Sequence, residues 1–583
     1  MASAQARFHN SQPLDLLIIG AGIYGIQAAR TYLTIHATHN ILILEADDAP
    51  GGVWSKKRMY PQFITQSPLD IWEFSDKPLS LNDEEAKNTF HEHFPAEAFA
   101  RYLEEYIDGH IFDGKSLRSC ILCNSRVEKL IRNDNVWLAT TSTKNTYTAR
   151  KVIDATGLTS LPKIPKLDGS FSFRGLQLHS RDFGLHSPAI LIPQTRIVII
   201  GGGKSAGDMA YACAKAGVKE INWVIRRSGN GPAAYIPADV PIKKYGNSNA
   251  AFHTTIMSSI LASVYVPETW WTWFLYRTFI GRFVHKLIWK GLQLDAYSRA
   301  KYDRANETGF KNLKPDGDMS MFWQVAGSGV NQRPDFFDLL AERVHVYRQD
   351  IARLTPNGII LADGTSLAAD AIIYATGWLS TTPYLDPKTA HALGHTASLT
   401  ATDDDDDDRW TALENQAETQ ILQRFPILAS PPPFPTPTPS PPPPPSPFRL
   451  YRSIFPTAPC SPPSIAFLGR TVLANHTYTA EVQALYCISV LDGVTPLPSQ
   501  YDMETDVARV NAWMKRRYPT QGGSGNFLFF DVVGYTDLLL GDLDMGYVRE
   551  ARGLWGPMRA GALREMVERY LGRVGRGEGK KVV

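Results

Sequence analysis

The chain has 583 residues, a formal net charge of +2 and a hydrophobic fraction of 44%. A chain of this length buries a large core without disulfides, and its balanced charge gives no basis for a nucleic-acid partner. Its five cysteines, an odd number, read as reduced intracellular thiols.

Residues 1–13 lack the apolar segment of a secretory signal and read as a loose arm. Residues 14–19, LDLLII, form an apolar run that meets glycines, as a buried parallel strand does. Gly20-Ala21-Gly22-Ile23-Tyr24-Gly25 follows, a helix-compatible stretch runs from Ile23 to Tyr32, and a second apolar run, Ile41 to Leu44, ends at Glu45. Gly20 permits the tight turn, Gly22 the close approach of a pyrophosphate, and Gly25 the packing of helix on strand. The helix start offers free N–H groups to phosphates. A carboxylate at the strand end suits two ribose hydroxyls and repels a 2′-phosphate. The first motif therefore points to FAD or NAD.

Cys120 and Cys123 make a lone CxxC with no second pair and no histidine cluster, so they read as small core residues and no metal is expected. A strand-like stretch ends at Ala155-Thr156-Gly157, and Ala375-Thr376-Gly377 repeats that tripeptide after AIIY. Between them the strand–glycine–helix pattern returns: RIVII, then Gly201-Gly202-Gly203-Lys204-Ser205-Ala206, a helix-like stretch and INWVI. Alanine at the third glycine position is accepted in dinucleotide folds. The second strand of this unit ends at Arg226-Arg227 with no acid. Guanidinium groups hold a phosphate through forked hydrogen bonds, so the second site should prefer NADPH; the plainer alternative is two surface charges.

Residues 252–292 are rich in Trp and Phe. Arg282, Lys286 and Lys290 share one helical face and Phe279, Ile280, Phe283, Val284, Leu287 and Ile288 fill the other. The favoured reading is an insertion that packs over a substrate channel, and the alternative is contact with a lipid interface. Asp403–Asp408 and the proline-rich run 431–447 mark 386–460 as a largely disordered insertion, with at most a short helix near Trp410 to Gln423. Beyond Tyr501 the pattern turns helical. No stretch is uniformly apolar over the roughly 20 residues a spanning helix needs, so a cytoplasmic protein is expected, with 252–292 its candidate membrane contact.

The chain resembles the class B flavin monooxygenases: the flavin-containing, N-hydroxylating and Baeyer–Villiger enzymes. Phe173 to Phe183, FRGLQLHSRDF, fits the family fingerprint FxGxxxHxxx(Y/F), and Phe183 leans away from the Baeyer–Villiger branch. Gly51-Gly52-Val53-Trp54 is similar to the family's GGxW, which sets Gly52 and Trp54 near the flavin. Thr65-Gln66-Ser67-Pro68 resembles a Thr-Asn-x-Pro segment whose asparagine faces flavin and nicotinamide, which makes Gln66 the candidate catalytic residue. Ala155-Thr156-Gly157 with Pro162 and Pro165 resembles the ATGxxxxPxxP hinge, and Glu481-Val482-Gln483-Ala484 the E-x-Q-A segment that returns to the flavin.

What the resemblance implies is an α/β protein with two Rossmann-like folds, the NADPH domain inserted within the FAD domain, and a helical C-terminal extension. The expected boundaries are 14–190 for the first part of the FAD domain and 191–345 for the NADPH domain. The FAD domain then returns at 346–385 and, beyond the 386–460 insertion, at 461–500, and 501–583 form the extension. The implied cofactor set is Gly20, Gly22, Gly25, Glu45, Gly52, Trp54, Thr156, Gly157 and Glu481 with Thr376 and Gly377 for FAD, and Gly201, Gly203, Ser205, Ala206, Arg226 and Arg227 for NADPH. The implied chemistry reduces FAD with NADPH and passes one atom of O2 through a flavin C4a-hydroperoxide to a lipophilic small molecule, in the manner of fungal enzymes that tailor polyketides. His179 is structural or gating. Two alternatives stand: Baeyer–Villiger oxidation of a ketone, with Arg333 in a comparable region, and a disulfide-reductase-like or non-catalytic flavoprotein. The substrate and the oligomeric state are not legible.

Overall fold

The computed structural model describes residues 12–239, 245–304, 308–396, 404–433, 444–458 and 462–576. Most of the expected N-terminal arm and the centre of the proline run lie outside them. In chain order, β1 (Leu14–Ile19) leads through the first glycines into α1 (Ile23–Ile35), which returns the chain to β2 (Ile41–Leu44). There follow β3 (Thr146–Asp154), β4 (Leu176–His179), β5 (Arg196–Ile200), α2 (Lys204–Lys215) and β6 (Glu220–Ile225). After them come α3 (Trp270–Arg277), α4 (Phe279–Ala300), β7 (Val344–Arg348) and β8 (Ala371–Tyr374). The last third holds α5 (Asp404–Arg424), β9 (Ile465–Phe467), α6 (His476–Leu491) and α7 (Gln500–Arg517).

In the first sheet β1 lies parallel between β2 and β3. The first half of β3 pairs antiparallel with Val136–Thr141, and its second half pairs parallel with β9. The chain therefore leaves this sheet after Asp154 and comes back more than 300 residues later, at Ile465. The second sheet is parallel throughout, in the order β4-β8-β5-β6-β7. Its three central strands, β8, β5 and β6, are mostly apolar and buried because helices and loops cover both faces of such a sheet. α6 is buried along its whole length and packs against α1, which closes the first nucleotide fold with residues from the far end of the sequence. Further helices follow, through Met566–Gly575. Among the described residues no helix is long and apolar enough to cross a membrane.

Three sequence expectations need correction. Residues 176–179 belong to the second sheet, not to the first part of the FAD domain, because β4 pairs with β8. Residues 371–374 do not return to the first sheet, since β8 sits between β4 and β5; of the 346–385 range, Tyr384 and Leu385 pack against the first sheet. Where β8 belongs depends on strand order, which a short apolar run does not encode.

The third correction is to the insertion at 386–460, which is largely ordered where described. Asp404 to Asp408 of the aspartate run open α5, where negative charge is favoured by the helix dipole. Arg449 pairs with Asp406 and Asp407, and Arg409 pairs with Asp406 and Glu504. Trp410 is buried, with the Arg449 guanidinium 4.6 Å from its ring centre. These cations offset the repulsion that made the run read as disordered.

Candidate active site

A single cavity of about 630 Å³ runs between the two nucleotide folds. That volume lies within the range of small-molecule and cofactor sites. From the first motif and its surroundings it is walled by Gly20, Gly22, Glu45, Gly52, Trp54 and Gln66, with Thr156 and Gly157 at the end of β3. From the second motif it receives Lys204 and Ser205.

The glycines divide into two kinds. Gly20 has φ +102°, and a Cβ there would lie 2.7 Å from the Ala155 carbonyl oxygen. At Gly25 a Cβ would lie 1.9 Å from the Gly20 carbonyl oxygen. These two serve the protein's own packing, and Gly25 is not part of the wall. At Gly22 a Cβ would meet nothing nearer than Gly52 Cα at 3.9 Å, so the protein leaves that approach open. α1 starts at Gly22 with no side chain bonded to its first N–H groups, which fits a phosphate acceptor. Glu45 accepts from Ala21 N at 2.7 Å and from Asp47 N at 2.8 Å, one bond to each oxygen. Each oxygen keeps a lone pair, as a ribose hydroxyl would require. Burial raises the Glu45 pKa.

The second motif repeats this division. Gly201 has φ +134°, and a Cβ there would lie 2.1 Å from the Ala375 carbonyl oxygen, whereas at Gly203 it would meet nothing within 4 Å. α2 also starts without a side-chain cap, and Ala206 is fully buried in its first turn. Arg226 and Arg227 are exposed just beyond β6. Arg348, at the same level of the neighbouring strand, escaped the sequence reading. One of its terminal nitrogens pairs with Asp316 and the other is buried without a hydrogen-bond partner.

Gly201, Gly203, Ala206, Arg226 and Arg227 of the second motif lie outside the wall, and three further expected site residues stand elsewhere. Thr376 and Gly377 are outside the wall: Thr376 Oγ1 donates to the Lys163 carbonyl, and the Gly377 carbonyl is 3.0 Å from His179 Nε2. His179 also accepts from Arg181 N at 3.1 Å. With both ring nitrogens engaged and burial lowering its pKa, His179 is a structural pin. Glu481 is buried in α6 and accepts from Ser75 N at 2.8 Å and from the Ser75 hydroxyl. It anchors the 72–76 loop.

Burial pushes the Glu481 carboxyl up to about 8, with Asp76 adding to the rise. In the unfolded chain a glutamate titrates near about 4.3. Below that value both states hold the proton. Between there and about 8 only the unfolded chain has released it, so stability is lost as pH rises through this window. Glu481→Gln removes the charge and keeps an acceptor for Ser75. Its Tm relative to the parent should therefore climb from about pH 5 to about pH 8. A difference that stays constant over that window would show that Glu481 does not titrate there.

Gln66 does wall the cavity, but its amide is engaged. Nε2 donates to the Asn331 carbonyl at 3.1 Å and Oε1 accepts from Asn331 N at 2.9 Å. One amide proton and one lone pair remain. The Gln66 carbonyl accepts from Asn249 Nδ2 at 2.9 Å. Gln66 thus ties the first nucleotide fold to residues around 331.

The sequence reading also missed Arg58 and Arg181 in the wall, which share the carboxylate of Asp47. It missed Arg470, which donates to Thr156 Oγ1 and the Gly157 carbonyl. It missed Tyr24 and His476, joined at 3.0 Å, where burial lowers the imidazole to about 4. Tyr24 and Lys204 lie inside the glycine motifs and Arg181 inside the 173–183 fingerprint; Arg58, Arg470 and His476 carry no local signal. Arg333 is not in the wall, and its guanidinium lies 5.0 Å from the Tyr211 ring centre. Cys120 and Cys123 are half-buried free thiols outside the wall, and burial holds Cys123 up at about 11.

Residues 17–238 match the pyridine nucleotide-disulphide oxidoreductase family. An FAD-dependent monooxygenase of Aspergillus nomiae is 30% identical over 92% of this chain and 94% of its own length. Another, of Pyrenophora dematioidea, is 31% identical over 92% of this chain and 98% of its own. The fold is that of cyclohexanone monooxygenase in its caprolactone-bound form, with a TM-score of 0.59 at 15% identity over 92% of this chain and 98% of that one.

Proposed function

This chain belongs to the class B flavin-dependent monooxygenases, and we propose that it binds FAD at the first glycine motif and NADPH at the second and transfers one atom of O2 to a lipophilic small molecule. The observation that carries the reading is the single cavity walled by the first motif and by Lys204 and Ser205 of the second, which supports one reaction space shared by two dinucleotides. We place its substrate among secondary metabolites of polyketide-like character, as the fungal relatives suggest. FAD supplies the redox chemistry: it accepts hydride and activates oxygen once reduced.

The chain's own residues bind, orient and exclude water. The open N-terminus of α1 takes the pyrophosphate and Glu45 the ribose hydroxyls. Trp54, stacked on Phe63 with ring centres 5.3 Å apart, fixes one wall. Ile236, Phe252, Met321, Phe529 and Phe530 give the remainder an apolar lining, which keeps water from the reacting atoms. Gln66 keeps one amide proton for the oxygen site while its other bonds hold Asn331. With Arg333 outside the wall, oxidation of a nucleophile is favoured over the Baeyer–Villiger alternative. With both cysteines outside it, a dithiol reductase is not favoured.

The test is direct. Purified protein should show a flavin spectrum, consume NADPH, and convert a lipophilic substrate to a product heavier by one oxygen. Protein without flavin, or a substrate returned unchanged, would refute the proposal. In Gln66→Leu, NADPH consumption should continue while product falls about tenfold, equivalent to about 1.4 kcal/mol, with the missing oxygen recovered as hydrogen peroxide. Full coupling in that variant would remove Gln66 from the oxygen site.

A further inference from the structure

α3 and α4 stand with an apolar face turned to solvent. Trp270 and Trp273 on α3, and Phe279, Ile280, Phe283 and Leu287 on α4, are all exposed, Phe279 to 79%. A contiguous patch of this kind on a single chain marks a surface that is covered in use.

The orientation of α4 is fixed from its inner side. His285 Nε2 lies 2.9 Å from the Ile260 carbonyl and Trp289 Nε1 donates to the same oxygen at 3.3 Å. At Gly281 a Cβ would fall 1.9 Å from the Phe274 carbonyl oxygen, so α3 and α4 meet where only glycine fits. Turning the apolar stripe inward would break these contacts. The sequence reading, which set the stripe over a channel, is thereby reversed for these residues.

The charges choose the occupant. From Thr269 to Leu294 the chain has no aspartate or glutamate, but it has Arg277, Arg282, Lys286 and Lys290; Arg277 pairs with Glu268 and Lys290 with Asp318 at its edge, and Arg282 and Lys286 have no acidic partner among the described residues. Lys286 and Lys290 are exposed between the apolar residues of α4, not on a separate face as the sequence pattern suggested. Two tryptophans at one end and lysines among apolar side chains suit a surface whose interior is apolar and whose headgroups are anionic. A second copy docking through a two-fold axis would set like cations against one another. We propose that the outer face of α3 and α4 docks on an anionic lipid bilayer. The proposal does not rest on the monooxygenase reading.

The test is co-sedimentation of the full-length holoprotein with vesicles of phosphatidylcholine alone or doped with phosphatidylserine. The protein should pellet with the doped vesicles, bind pure phosphatidylcholine at least about tenfold more weakly, and lose binding as salt is raised. The exposed-face double variant F279S/F283S should keep its flavin content and Tm and lose at least about tenfold in vesicle affinity. K286E/K290E, which leaves the apolar residues in place, should do the same to the doped vesicles only. Binding that is absent in the parent, unchanged in both variants, or indifferent to phosphatidylserine would overturn the proposal. So would a parent dimer that F279S/F283S converts to monomer, since the face would then belong to a second copy.

Discussion

Gly22→Asp should yield folded protein without flavin, while Gly25→Ala should yield protein that melts lower and still takes up flavin. The two glycines are three residues apart in one motif, yet the structure separates their roles. At Gly22 a side chain has room, the nearest atom to an added Cβ being 3.9 Å away. An aspartate there would put negative charge at the N-terminus of α1, where the pyrophosphate is proposed to sit, and would repel it. Flavin content should fall at least about tenfold, worth about 1.4 kcal/mol or more, with the Tm of the apoprotein nearly unchanged.

At Gly25 the added methyl would sit 1.9 Å from a backbone oxygen of Gly20, so α1 must move away from β1. Overpacking of this kind costs about 1–3 kcal/mol, and at roughly 2.1 cal/mol/K of unfolding entropy per residue each kcal/mol lowers the Tm of a chain this large by about 1 °C. Flavin absorbance and a melting curve on each purified variant decide the matter. Gly22→Asp recovered with full flavin would displace FAD from the first motif.

The second large effect concerns cofactor choice. Replacing Arg226 and Arg227 together by alanine should raise the KM for NADPH about tenfold to a hundredfold, or about 1.4–2.7 kcal/mol, and hardly alter the KM for NADH. Only NADPH carries the 2′-phosphate that a guanidinium can grip. Arg348→Ala should add to the effect, because its buried nitrogen without a partner stands at the same end of the adjacent strand. Equal changes for the two nucleotides would show that the arginines act on shape and not on the phosphate. Steady-state kinetics with both cofactors, at fixed ionic strength, separates these outcomes.

Both glycine motifs were legible because what they require is local. A positive φ, a helix start without a cap and a carboxylate at a strand end are written within about thirty residues of chain. The two-domain plan and the burial of the apolar strands followed from the same short-range pattern. Strand order is a different kind of information. AIIYATG reads as a buried strand but does not say which sheet receives it, so Thr376 and Gly377 were set beside the flavin when they close the second sheet. The E-x-Q-A segment was found, yet Glu481 serves Ser75, some four hundred residues earlier in the chain.

The aspartate run shows the same limit in its electrostatics. Its repulsion is local and its compensation is not, since Arg449 lies on a segment the sequence does not mark as a partner. In α4 the helical period was visible, but the side that faces water was set by contacts to Ile260 at the end of the preceding short helix Thr255–Ile260. Sequence alone marked most of the strands and helices, though not the full length of α5, and suggested what each glycine motif could hold, because those depend on neighbours along the chain. The tertiary structure alone decided that both motifs open into one cavity, that Gln66 clasps Asn331, and that Phe279 and Phe283 face outward. Each of these is a meeting of residues distant in sequence, and only the packed sheets and helices bring them within a few ångströms.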